Sequence, residues 1–95
     1  MHENKRLRAV MQGRVQGVGF RYFVQERAHE LLLKGTCRNL TNGAVEVVAE
    51  GEQGALEAFL VALSNGPRMA HVESCEAVWL PATGEFSSFR IAPTR

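Results

Sequence analysis

Polar and apolar positions change period several times along the chain, and each change marks an element. Leu7, Ala9 and Met11 alternate with Arg8, Val10 and Gln12, the two-residue period of a strand, although Val10 leaves the second face less than fully polar. Phe20, Val24, Ala28, Leu31 and Leu32 then recur at helical spacing while Gln25, Glu26, Arg27 and Glu30 take the opposite side, which predicts a helix from about Arg21 to Leu33. Lys34-Gly35 places a cation and a glycine where helix C-termini favour them. Thr36 to Thr41 forms a second strand, and Asn42-Gly43 is a tight-turn signal that returns it antiparallel into Ala44 to Glu50. Leu56, Phe59, Leu60 and Leu63 follow the i, i+3, i+4, i+7 pattern of a second helix, stopped by Asn65-Gly66-Pro67. From Val72 onward Cys75, Ala77 and Trp79 alternate with Ser74, Glu76 and Val78 as a fourth strand. After a Pro81 to Gly84 turn, Phe86 to Ile91 adds a short fifth strand at an edge.

Strand, helix, strand, strand, helix, strand is the order of a ferredoxin-like α+β domain, an antiparallel sheet with two helices on one face. The 95 residues are expected to form a single domain, 1–95, with no repeat or linker inside it. Composition is that of an ordinary globular protein, 45% hydrophobic and 22% charged, and a net charge of +1 gives no electrostatic footprint for nucleic acid or an anionic membrane. Met1 to Arg6 is polar, without the apolar region of a signal peptide, and no apolar run approaches the roughly 18 residues of a membrane span. A cytoplasmic location is expected. Cys37 and Cys75 match no metal or redox spacing and are read as reduced core residues.

Chemistry concentrates between the first strand and the first helix, in Gly13-Arg14-Val15-Gln16-Gly17-Val18-Gly19-Phe20-Arg21. Glycines permit positive φ and let a ligand lie against successive backbone N–H groups, and the opening turn of a helix adds unpaired donors and the positive end of its dipole. Arg21 sharpens this reading. A cation in the first helical turn opposes the dipole at a cost of about 0.3–1 kcal/mol unless an anion lies between them, and a guanidinium grips phosphate oxygens bidentately. The alternative reading is a tight turn followed by a solvated arginine. A dinucleotide fingerprint is excluded because Tyr22 stands where its third glycine belongs, and the Gly-Lys-Ser/Thr of a Walker loop is absent.

These residues resemble the signature of the acylphosphatases, small enzymes that hydrolyse carboxyl-phosphate mixed anhydrides. The likeness continues through Gly35-Thr36-Cys37-Arg38-Asn39-Leu40-Thr41-Asn42-Gly43, Val45 to Gly51, Gly66-Pro67, Ala70 to Trp79 and Phe86 to Ile91, nearly the whole chain. The resemblance implies the same α+β architecture and a hydrolase of acyl phosphates with no cofactor. It also implies catalytic roles for Arg21, as the phosphate-binding arginine, and Asn39, whose amide orients the attacking water. Main-chain N–H groups of Val15, Gln16, Gly17, Val18, Gly19 and Phe20 are expected to bind substrate. Without the resemblance, Asn39 reads as a residue entering a turn. Thr36-Cys37 and Thr41-Asn42 depart from the pair and the turn often seen in the family, leaving Arg21 and Asn39 in place.

Rival chemistry is thinner. His29 and His71 have no second ligand at metal spacing, His2 lies near the terminus, and Cys37 lacks an evident base. Arg14 and Arg38 add positive potential near the loop, and Glu26 and Glu30 read as a solvated helix face. A non-catalytic binding or regulatory module on the same fold is the alternative. An RNA-recognition motif is its weakest form, because Phe20 and Phe23 open a helix instead of standing on a sheet strand. The expected partner is a small acyl phosphate, with no nucleic acid, membrane or metal, and a monomer is expected.

Overall fold

In the computed structural model, which describes residues 3–95, the chain runs β1 (Asn4–Arg14), α1 (Phe20–Glu30), β2 (Lys34–Asn39), β3 (Val45–Glu52), α2 (Gln53–Asn65), β4 (His71–Pro81) and β5 (Phe89–Ile91). His2 lies outside the described residues. The strands form one sheet in the order β4-β1-β3-β2-β5. β1 pairs antiparallel with β3 and β4, and β2 antiparallel with β3, as the alternation and the Asn42-Gly43 turn require. The sheet is not wholly antiparallel. β5 pairs parallel with β2, Gly35 opposite Phe89 and Cys37 opposite Ile91, because the segment after β4 travels across to the far edge instead of folding back as a hairpin.

Strand alternation sorts the two faces. Leu7, Ala9, Met11, Cys37, Val45, Val47, Ala49 and Phe89 point to the helices and are buried with Phe20, Val24 and Ala28 of α1 and Leu56, Phe59 and Leu63 of α2. α1 lies over β2 and β5, and α2 over β1, β3 and β4. Phe59 meets Phe89 edge to face, with centroids 6.0 Å apart, joining the two halves of the core. Leu60 is half-buried, as is Cys75 on the outer strand, so only one of the two thiols is a true core residue.

The first helix ends earlier than its apolar spacing predicts. It stops at Glu30, and Leu31 to Leu33 form a reversing cap: Leu32 N–H donates to His29 O at 3.1 Å and Leu33 N–H to Ala28 O at 2.8 Å. This is the paired bonding of a Schellman motif, with Leu32 at its left-handed position, φ 58°. The reversal turns Leu32 outward, 86% exposed, and sends Leu33 into the core at 3%. Leu31 is half-buried. Lys34 and Gly35 therefore belong to β2 and do not terminate the helix.

On the sheet face away from the helices, Glu50 is buried and accepts hydrogen bonds from Arg6 Nε (2.7 Å), Thr83 N–H (2.9 Å), Thr83 Oγ1 (3.2 Å) and Gly84 N–H (3.0 Å). Arg6 also reaches Glu85 at 2.5 Å and carries the Phe86 ring 5.2 Å from its guanidinium carbon. One carboxylate thus fastens the β4–β5 crossing to the sheet. Burial pushes the Glu50 carboxyl upward, but the N–H donors of Thr83 and Gly84 and the Arg6 guanidinium outweigh it and hold the group below its ordinary value of 4.5.

Candidate active site

The glycine loop occupies residues 15–19, between the end of β1 and the start of α1. Gly13 lies outside it, within β1, where the pairing with β4 shifts register. Gly17 and Gly19 have φ of 73° and 76°, and among the described residues the one non-glycine residue at positive φ is Leu32, so the handedness alternates from Gln16 to Phe20. Such alternation turns successive N–H groups toward one concave side, a nest for an anion. Added Cβ atoms at Gly17 and Gly19 would meet nothing within 4 Å, so backbone angle and not crowding demands glycine here.

The loop runs directly into a helix start. Gly19 is the N-cap of α1, no side chain caps it, and no acidic residue stands in the first turn. The opening N–H groups are therefore left for water or an anion, at the positive end of the helix dipole. Val15 and Phe20 are 1% exposed, each anchoring one end of the loop in the core, while Val18 packs partly against it. Only the main chains of these residues remain for a ligand.

Arg21 follows as the second residue of α1. It makes no side-chain hydrogen bond or ion pair among the described residues, unlike Arg6, Arg8, Arg27 and Arg38, whose guanidiniums each pair with a carboxylate. Its charge reaches β2. Burial pushes the Cys37 thiol up to about 12 from an ordinary 9.0, and the Arg21 guanidinium is the influence that opposes the rise. Cys37 is thereby a packing residue and not a nucleophile, since too little thiolate exists near neutral pH.

Asn39 is the last residue of β2, two positions beyond Cys37, and so faces the same side of the sheet as the thiol on which the Arg21 charge acts. Its carbonyl oxygen Oδ1 is buried and has no hydrogen-bond partner among the described residues. A buried acceptor without a donor costs about 1–3 kcal/mol, so the position suits a donor from outside the chain, such as water. The main chain around it is held on both sides. Arg95 N–H donates to Asn39 O at 3.1 Å and Thr41 N–H to Arg95 O at 3.0 Å, while Leu40 N–H bonds Ala44 O at 2.8 Å to close the turn.

One tie escaped the sequence reading. The Gln16 side chain, counted there only for its backbone, donates from Nε2 to Leu40 O and Ala44 O, both at 2.8 Å, and so fastens the loop to the hairpin that carries Asn39. No local pattern marks this contact, because its partners lie more than twenty residues away. The other candidates stay apart. Arg38 faces the opposite side of the sheet and is tied to Glu46, Nε to Oε1 3.7 Å, and Arg14 is exposed. The His29 ring lies 3.3 Å from Phe89 O, and Glu30 pairs with Arg27 at 2.7 Å. No group of three or more His, Cys, Asp or Glu side chains that could hold a metal is gathered among the described residues, and none of their helices is long and apolar enough to cross a membrane.

The chain is similar to known proteins in sequence and in fold. The family model described as Acylphosphatase matches residues 7–91. A protein of Thermus thermophilus named acylphosphatase is 57% identical over 74 residues, covering 78% of this chain and 84% of its own. One of Dehalococcoides mccartyi with the same name is 51% identical over 86 residues, covering 90% and 94%. In three dimensions the chain is similar to the crystal structure of an acylphosphatase from Bacillus subtilis, with a TM-score of 0.89 at 38% identity over 93% of this chain and 98% of that one.

Proposed function

We propose the following chemistry for this chain, which belongs to the acylphosphatase family and acts on acyl phosphates. The phosphoryl group of the substrate lies in the 15–19 loop, its peripheral oxygens held by main-chain N–H groups from Val15 to Phe20 and by the Arg21 guanidinium. Asn39 accepts a hydrogen bond from a water molecule and points its oxygen at phosphorus, opposite the acyl oxygen. As the new P–O bond forms, the P–O bond to the acyl group breaks and its electron pair leaves on the carboxylate. The water's displaced proton passes to a phosphoryl oxygen or to solvent.

Two features of the reaction make so small a set of groups sufficient. A departing carboxylate, of pKa about 4, needs no general acid near neutral pH. Phosphoryl transfer runs mostly through a loose transition state, in which positioning and charge stabilisation supply most of the catalysis, and a neutral amide can orient the water. The reaction is direct, without a covalent intermediate and without a metal. The protein works as a one-domain cytoplasmic monomer, a location in keeping with its two free thiols.

The observation that carries this reading is the buried oxygen of Asn39, without a partner among the described residues, on the strand that feels the Arg21 charge. Its test is release of phosphate from a simple acyl phosphate with chelator present, in the native chain and in Arg21→Ala. The chelator is expected to change nothing. The variant is expected to lose about a hundredfold or more in turnover and to bind inorganic phosphate more weakly. Loss of activity in chelator overturns metal-free hydrolysis, and full activity in the variant overturns the role of Arg21.

A further inference from the structure

We infer that Gln16 is a positioning residue for this reaction: its side-chain amide sets the loop and Asn39 at the mutual distance that in-line attack requires. The inference rests on the roles given above to the loop and to Asn39.

Nε2 lies 2.8 Å from two carbonyl oxygens, Leu40 O and Ala44 O, so both of its N–H groups are spent and the amide can sit only one way round. These two carbonyls close the turn. Leu40 O also accepts from Gly43 N–H at 3.1 Å, and Ala44 O from Leu40 N–H at 2.8 Å. Leu40 directly follows Asn39, so the grip falls one residue from the side chain that orients water. Along the chain, α1 and β2 separate the loop from the hairpin, and covalent geometry alone does not fix their spacing. Among the described residues these are the only side-chain hydrogen bonds joining loop 15–19 to hairpin 40–44. Releasing them leaves the phosphate ligands intact, since those are main-chain groups and Arg21. What it frees is the angle of attack, where a displacement of about 1 Å costs roughly a hundredfold.

The test combines Gln16→Met, which keeps the length of the side chain and removes both donors, with Asn39→Ala and the double variant, each checked for folding by circular dichroism. Expected for Gln16→Met is a fall in kcat of about ten- to a hundredfold with KM and the inhibition constant of inorganic phosphate within about twofold. In the Asn39→Ala background the same change is expected to cost less than about threefold, because there is no oriented water left to misplace. A wild-type kcat, an equal loss of phosphate affinity, or a full-sized effect without Asn39 overturns the inference. If Asn39→Ala itself turns over at the native rate, the role of Asn39 fails first and this inference with it. If Asn39→Ala is slow and Gln16→Met is not, only this inference fails. Should Gln16→Met not fold, Gln16→Glu replaces it. Ionised, that side chain repels both carbonyls, and protonated it can donate one hydrogen bond, so its kcat relative to wild type is expected to rise on acidification. A ratio flat with pH overturns the proposal.

Discussion

Replacing Leu32 by glycine is expected to stabilise the protein, although it deletes a hydrophobic side chain. Leu32 holds the left-handed position of the cap that ends α1, at φ 58°. That conformation brings Cβ against the following carbonyl and costs a leucine about 1–2 kcal/mol. Glycine removes this term. Against it stands the greater freedom of glycine in the unfolded chain, about 0.4–1 kcal/mol. Little burial is lost, since Leu32 is 86% exposed. The cap hydrogen bonds are main-chain, Leu32 N–H to His29 O and Leu33 N–H to Ala28 O, and survive the change. With both terms at the middle of their ranges the balance is a gain of about 0.8 kcal/mol, which for a domain of this size raises Tm by roughly 3–6 °C. Thermal unfolding by circular dichroism or calorimetry reads it directly. Leu32→Ala separates the causes, because alanine keeps Cβ and the strain while removing the same exposed surface. A Tm for Leu32→Gly at or below that of the native chain, or a gain equal in both variants, rules out backbone strain at Leu32 as the cause.

Other expectations follow from the same geometry. Because the folded carboxyl of Glu50 titrates below its ordinary 4.5, its contribution to stability is fully present above that value and is lost as pH falls through the lower folded value. Urea unfolding between pH 6 and 3 should show the loss, and Glu50→Ala, which strands the N–H groups of Thr83 and Gly84, should cost about 1–3 kcal/mol and flatten that part of the profile. A variant as acid-sensitive as the native chain assigns the effect elsewhere. The Cys37 thiol, pushed up to about 12 and fully buried, should resist alkylation at pH 7.5 until the chain unfolds, while half-buried Cys75 reacts first. Mass spectrometry of labelled peptides checks the order, and early labelling of Cys37 contradicts the packing role.

What the sequence made legible and what it left hidden divide along physical lines. Strand and helix periods are local, so Leu7, Ala9 and Met11, or Leu56, Phe59 and Leu63, declared their common face without any knowledge of their partners. The Asn42-Gly43 turn and the glycines of the loop were equally plain, because positive φ restricts the residue that can stand there. The end of α1 was misread for the opposite reason. Three leucines in a row satisfy helical spacing in two registers, and the chain takes the one that buries Leu33, accepting strain at Leu32 where a glycine would have announced the stop. The parallel pairing of β5 and the Glu50 latch depend on a crossing of the sheet that no short window contains. At the site, Arg21 could be argued from charge and dipole. Asn39 needed the family resemblance, since its distinguishing property is a buried oxygen with no partner among the described residues, and this exists only in the fold. Gln16 sat within the recognised stretch, yet its side chain works across more than twenty residues.

The proposed chemistry divides binding and attack between Arg21 with the loop amides on one side and Asn39 on the other. The most direct measurement is a comparison of turnover on an acyl phosphate with the inhibition constant of inorganic phosphate, in the native chain and in Asn39→Ala. The division predicts a loss of about a hundredfold or more in kcat with phosphate affinity within about twofold of native. Equal losses in both quantities, or turnover at the native rate, contradict it.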